Sequence, residues 1–294
     1  MSFSLIFVSL ATGRENPPPP DPTFSVKFPI AAVEVFPNGA KLLLIERRSV
    51  PLVTVAVAFR AGAADDPIGL GGVAQLVAQL MDKGTESRQA EEIAEFLDQM
   101  GGFIQKKADW DESVIGITVL SGYLEQVLEL LSDLVINPAF RNKEIELQRQ
   151  RTLSGLKIAS RDPSYLADVV FNQILFRGGR YGHPPDGTQA SVSRISEDSL
   201  RHFHRRHYHP SNAIIILGGD FQSGQGRGLI EKYFGSWSQK ENTEKSRGLQ
   251  ETSSERVLSS DRRIIVVDVP DAVQTEIRIG NLAPPRASLD YAAL

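Results

Sequence analysis

From Val33 onward the chain sets out short apolar runs whose period changes from two to nearly four and back. Val53, Val55, Val57 and Phe59 alternate with Thr54, Ala56 and Ala58, the period of a half-buried strand. A strand is therefore predicted from Leu52 to Arg60, with an earlier one from Lys41 to Arg47. Asn38-Gly39 before them is a hairpin turn signal, read as a turn whose two central residues both take positive φ. Gly62 to Gly72 (GAADDPIGLGG) reads as a turn-rich loop, and Val73 to about Lys83 as a helix. Ile93, Phe96, Leu97 and Met100 fall at i, i+3, i+4 and i+7, giving a helix over Ala90 to Met100 that Gly101-Gly102 stops.

Strands follow at Phe103 to Ala108 and Ser113 to Leu120, then a helix from Leu124 to Val135 closed by Asn137-Pro138. Glu144 to Ser160 is a long charged helix, and Asp162-Pro163-Ser164 opens another. Past the glycine-rich loop Gly178 to Gly187, a helix over Glu197 to His207 leads to a strand at Ala213 to Leu217 and a short helix at Gly228 to Phe234. The order predicts an α+β fold, an antiparallel sheet with helices packed on one side.

The flanks read differently. Residues 1–24 form a tail: Phe3 to Ala11 (FSLIFVSLA) is apolar like an export signal but lacks basic residues before it, so export signal and disordered tail both stand. Pro17 to Pro22 makes a stiff spacer. Residues 25–237 form the main domain and 238–260 a polar linker. Residues 261–294, with strand candidates at Ile264 to Val269 and Thr275 to Leu282 and a helical first turn at Asp290 to Leu294, read as the truncated start of a second, similar domain.

Composition narrows the chemistry. Of 294 residues 41% are hydrophobic and 23% charged, with 32 Lys and Arg against 36 Asp and Glu, so no basic footprint for nucleic acid exists. No apolar run reaches the length of a membrane span. Zero cysteines exclude disulfides, thiolate metal sites and cysteine nucleophiles, leaving His, Asp and Glu as metal donors, with only five His.

Five segments in order carry a resemblance: FPNGAKLLLIERRSVPLVTVAVAFRAGA from Phe36, GGVAQLVAQLMDKGT from Gly71, RYGHPPDGT from Arg180, RHYHPSNAIIILGGDF from Arg206 and VDVPDAVQTEIRIGNL from Val267. Together they resemble the insulinase or pitrilysin family of zinc metallopeptidases, which includes the mitochondrial processing peptidases, over roughly residues 30 to 294. The resemblance implies a processing-peptidase-like domain followed by the start of its twin.

In active members the helix after the glycine-rich loop carries H-x-x-E-H, two His sharing a helix face on Zn²⁺ and a Glu activating the bound water. At those places this chain has Gln75, Ala78 and Gln79. The family's third ligand, a later Glu, falls at or next to Gly155, between Ser154 and Leu156. A carboxamide is a poor zinc ligand and an alanine takes no proton. The expectation is that this chain binds no metal and that Gln75 and Gln79 form a polar stripe opposite Leu76, Val77, Leu80 and Met81. His202, His204, His207 and His209 crowd one helix end; His204 and His207 have i, i+3 spacing but no neighbouring carboxylate, and the stretch reads as a structural connector. His183 matches a supporting family loop.

The resemblance also implies a substrate strand, in which an extended peptide pairs with the edge formed by Gly102, Phe103, Ile104, Gln105 and Lys106; the alternative is an ordinary edge protected by lysines. The functional expectation is a non-catalytic subunit of a two-subunit zinc peptidase, with Zn in a catalytic homologous partner, a peptide substrate and a periplasmic or secreted location, or failing that a cytoplasmic one. A scaffold role in a larger complex, or a truncated product without peptidase activity, is the alternative.

Overall fold

A computed structural model describes residues 32–238, 264–270, 272–284 and 288. The chain divides into residues 1–30, outside the described set, and a unit at 31–294. The apolar tail segment, the proline spacer, residues 239–260 of the linker and the Asp290 to Leu294 turn also lie outside the described residues.

The strands are β1 (Ala32–Val35), β2 (Lys41–Glu46), β3 (Leu52–Phe59), β4 (Phe103–Ala108), β5 (Ser113–Leu120) and β6 (Ala213–Gly219). The helices are α1 (Val73–Leu80), α2 (Ala90–Gln99), α3 (Leu124–Ile136), α4 (Asn142–Ala159), α5 (Pro163–Leu175), α6 (Gln189–Val192), α7 (Glu197–His207) and α8 (Ser223–Phe234). One six-stranded sheet has the order β1-β2-β6-β3-β5-β4. The α+β class holds, and four of the five pairings are antiparallel, but β2 and β6 run parallel, so the sheet is mixed. Periodicity fixes which face a strand buries and says nothing of its neighbour's direction.

On the helix-covered face, Val53, Val55, Val57 and Phe59 of β3 join Ile115, Ile117 and Val119 of β5 and Ile215 and Leu217 of β6, all buried. α3 turns Val127, Leu128, Leu130, Leu131, Leu134 and Val135 into this layer, each fully buried; such side chains contribute about 1.5–3 kcal/mol apiece. Phe59 closes one end against Tyr208, ring centroids 4.2 Å apart. On the opposite face Thr54 and Thr118 hydrogen-bond at 2.8 Å between exposed Leu52 and Leu120.

Local chemistry explains the boundaries. α7 starts where the Ser196 hydroxyl accepts from Ser199 N, with Glu197 and Asp198 in its first turn and basic residues in its last, matching the helix dipole. α5 has Asp162 as cap and Pro163 at its first position. α8 begins at Ser223, five residues before the predicted start, because three glycines mask its helical pattern. Gly226 is required there: a Cβ would sit 2.7 Å from Leu217 Cδ2. In the turn before β2 only Gly39 takes positive φ (93°), with Gly39 N donating to Phe36 O. Asn38 instead sends its amide to Phe234 O and Trp237 O.

The strands predicted at Ile264 to Val269 and Thr275 to Leu282 form no ladder among the described residues. An alternating pattern supplies a face but not a partner. Here Arg278 pairs with Asp168 and donates to Ser164 Oγ of α5, while Ile277 and Ile279 point outward.

Candidate functional site

α1 carries three of the sequence-predicted positions, Gln75, Ala78 and Gln79. Its start is set by Gly72, at φ +100°, where a Cβ would lie 2.9 Å from Asp186 O. The Asp66 carboxylate accepts from Gly72 N (2.6 Å) and Ala74 N (2.8 Å), satisfying orphan donors of the first turn. Val73, Ala74, Leu76, Val77 and Leu80 go into the core, as does Met81 beyond the last turn. Gln75 and Gln79, four residues apart, occupy the remaining face, half-buried. Leu76, Val77, Leu80 and Met81 are buried, whereas Gln75 and Gln79 retain partial exposure.

Both carboxamides are committed. Gln75 Oε1 accepts from Ala108 N of β4 at 3.2 Å. Gln79 Oε1 accepts from Gln148 Nε2 of α4 in a short contact. Lys106 of β4 donates to the Gln79 main-chain carbonyl at 2.7 Å and pairs with Asp82. Desolvation lowers the Lys106 ammonium below the usual lysine range, against the attraction of Asp82.

The remaining two positions do not join this cluster. Ala78 faces inward and is 3% exposed. Gly155 is exposed on α4, and a Cβ there would meet nothing within 4 Å. Gln148 was missed in the sequence, although it lies seven residues, two helical turns, before Gly155 and so on the same side of α4.

β4 is an outer strand of the sheet. Phe103 and Gln105 are exposed, while Ile104 and Lys106, half-buried, alternate with them. Gly102 permits the tight approach to β5, since a Cβ would meet Val119 Cγ1 at 2.7 Å. The arrangement places an outer strand edge, unpaired among the described residues, beside α1. It offers main-chain donors and acceptors, while the Lys106 ammonium is already engaged by Gln79 O and Asp82. It offers no general base on the α1 face.

A metal fits this face poorly. The two carboxamides bond to protein groups, the third position is an inward methyl, and the fourth has no side chain. Among the described residues no three His, Asp or Glu side chains converge as a metal requires. The histidines near α7 serve packing: His204 Nε2 meets Val135 O at 2.9 Å, His207 lies on the Phe203 ring, and His209 Nδ1 meets Ser211 Oγ. Burial pushes His207 down to about 4.

The loop carrying RYGHPPDGT bolts the head of α1 in place. Arg180 pairs with Asp65 and donates to Ala64 O. The Tyr181 hydroxyl donates to Asp111, and Trp110 meets the rings of Tyr181 and His183. Gly187 sits at φ +76°, where a Cβ would be 2.1 Å from Gly71 O, and Ser191 Oγ donates to that carbonyl at 2.7 Å.

With this geometry in hand, two family models match the chain: insulinase (peptidase family M16) over residues 41–184, and the peptidase M16 inactive domain over residues 194–294. An uncharacterized zinc protease of Mycobacterium leprae is 27% identical over 200 residues, 68% of this chain and 45% of that protein. The non-peptidase homolog YmxG of Helicobacter pylori is 26% identical over 190 residues, 64% of this chain and 44% of that protein. The chain thus spans about half the length of the curated relatives it matches. Among solved structures, the peptidase M16 inactive domain from Pseudomonas fluorescens superposes with a TM-score of 0.68 at 24% identity, covering 71% of this chain and 51% of that one. A protease from Helicobacter pylori superposes with a TM-score of 0.70 at 20% identity, covering 74% and 52%.

Proposed function

The chain belongs to the insulinase (M16) peptidase family, and from that premise we propose that it is a non-catalytic member that binds extended peptide beside a zinc-bearing homologous subunit. The observation that carries this reading is the commitment of Gln75 and Gln79. At the positions where the family's active members hold zinc, these side chains bond to β4 and α4, so they brace a peptide groove in place of performing hydrolysis. Zinc then belongs to the partner, and this chain supplies chamber wall and strand edge. The existence of a relative named a non-peptidase homolog supports a place in the family for such members. The apolar Phe3 to Ala11 segment supports a periplasmic or secreted setting.

The test is reconstitution. The purified chain, given an unfolded peptide, is expected to show no chelator-sensitive cleavage. Adding a zinc-bearing homologue from the same source is expected to produce cleavage above that of the homologue alone. Chelator-sensitive cleavage by this chain by itself overturns the proposal.

A further inference from the structure

We propose that the face between α1, β4 and α4 selects acidic side chains: when an extended peptide adds to the β4 edge, its Asp or Glu residues are received by Arg151, Lys83 and the carboxamide nitrogens of Gln75 and Gln79. The inference rests on the peptide-binding reading and names the substrate class within it. Its basis is a surplus of cations and donors over carboxylates. Two ammonium groups share Asp82, Lys106 in a short contact and Lys83 at 3.3 Å. Lys106 is spent there and on Gln79 O. Lys83, partly exposed, is left under-neutralised.

α4 brings a further cation. Gln148 touches Gln79, and Arg151 follows it by three residues, so it stands about one turn on along the same side of α4. Arg151 is exposed and bonds to no described residue. Gly155, one turn further, leaves the space beside it open, since a Cβ there would meet nothing within 4 Å. Desolvation, joined by repulsion from Lys83 and Arg151, lowers Lys106 against the attraction of Asp82. Acids on the flanking segments are engaged elsewhere, Glu146 with Arg149 and Asp109 with Lys107.

The carboxamides add donors of the same sense. Gln75 and Gln79 each use Oε1 as an acceptor, which leaves the Nε2 of both, a donor only, without an acceptor among the described residues. Ile104 and Lys106 of β4 lie on the helix side and alternate with exposed Phe103 and Gln105. Every second side chain of a strand added to this edge therefore falls on the side of α1 and α4. A carboxylate there meets under-neutralised cations and amide donors, whereas a lysine or arginine is repelled.

The full chain is titrated, by fluorescence anisotropy, into short N-acetylated, C-amidated peptides that alternate Thr with Glu, with Gln or with Lys. At low salt the Glu peptide is expected to bind about tenfold more tightly than the Gln peptide, and the Lys peptide more weakly than both. About 1 M salt is expected to close the gap, because the screening length falls to about 3 Å. R151E is expected to abolish the Glu preference, and K107M, on the other side of β4, to keep it. Equal affinity for the Glu and Gln peptides, or a preference undiminished in R151E, overturns acid selection while the peptide role stands. A gain confined to the Gln peptide with a free C-terminus assigns the anion to the chain end and overturns it too. If none of the peptides binds, the peptide role itself is refuted, and acid selection with it.

Discussion

Replacing Lys106 by Met tests whether β4 is latched to α1 by a nearly dry ion pair. The side chains of Lys106 and Asp82 are 16% and 10% exposed, so both charges sit far from bulk water. Removing one member of a buried pair typically costs about 3–5 kcal/mol, chiefly through the charge left behind. Here Asp82 keeps a weaker contact with Lys83 at 3.3 Å, while Gln79 O loses its lysine donor, and about 2–3 kcal/mol is expected for K106M. D82N is expected to cost about 2 kcal/mol, because Lys106 retains only the carbonyl. Desolvation already holds Lys106 below its usual range, so the pair gains little over an apolar replacement, and the double variant is expected to be no worse than either single one. The cycle should therefore show a coupling of about 2 kcal/mol. Urea unfolding followed through Trp110 and Trp237 measures all four corners. K107M is the internal control: its pair with Asp109 is 66% and 44% exposed and its loss should leave the midpoint unmoved. A coupling below about 0.5 kcal/mol would mean that the pair is solvated and that β4 is not latched.

Four other outcomes are expected. Gly187→Ala should cost about 3–5 kcal/mol in the same assay, since it forces a left-handed alanine and drives the backbone off Gly71 O, breaking the Ser191 bond; a loss under 1 kcal/mol contradicts the close crossing. Asn38→Ala should cost about 1–2 kcal/mol through its two carbonyl partners, whereas Asn38→Asp should cost more because it offers no donor. His207 is held neutral, near 4 against 6.5, so the unfolded state takes up the proton first; its contribution, at most about 3 kcal/mol, is present above pH 6.5 and lost on going down to 4. H207Q should flatten that acid limb. Equilibrium dialysis against micromolar zinc should leave less than a stoichiometric amount on the chain, and one tightly held, chelator-removable zinc per chain would contradict the geometry of α1.

Much of this was legible because local signals were strong. β4, β5 and α7 fall where alternation and capping put them, and Gln75 and Gln79 share a face because i and i+4 must. What could not be read was non-local. No periodicity announces that β6 lies between β2 and β3, or that it pairs parallel with one and antiparallel with the other. Gln148 was invisible because its role depends on how α4 crosses α1. Ala78 shows the converse: family spacing marked the position, and only packing reveals that its methyl faces inward. The segment from Thr275 to Leu282 alternates like a strand, yet Arg278 ties it to α5.

The placement of β6 carries a consequence for biosynthesis. β2 and β3 are consecutive in the chain but never touch as neighbours; the strand between them begins at Ala213. At about 5–20 residues per second, the ribosome leaves these two strands with open edges for roughly 10 s or more before their divider is made. A nascent chain ending short of Gly219 therefore presents unpaired Val- and Leu-rich edges, the kind of surface that chaperones bind and aggregates recruit. The last strand of the sheet to arrive joins its two halves, so changes between Ala213 and Gly219 act on folding yield as well as on final stability.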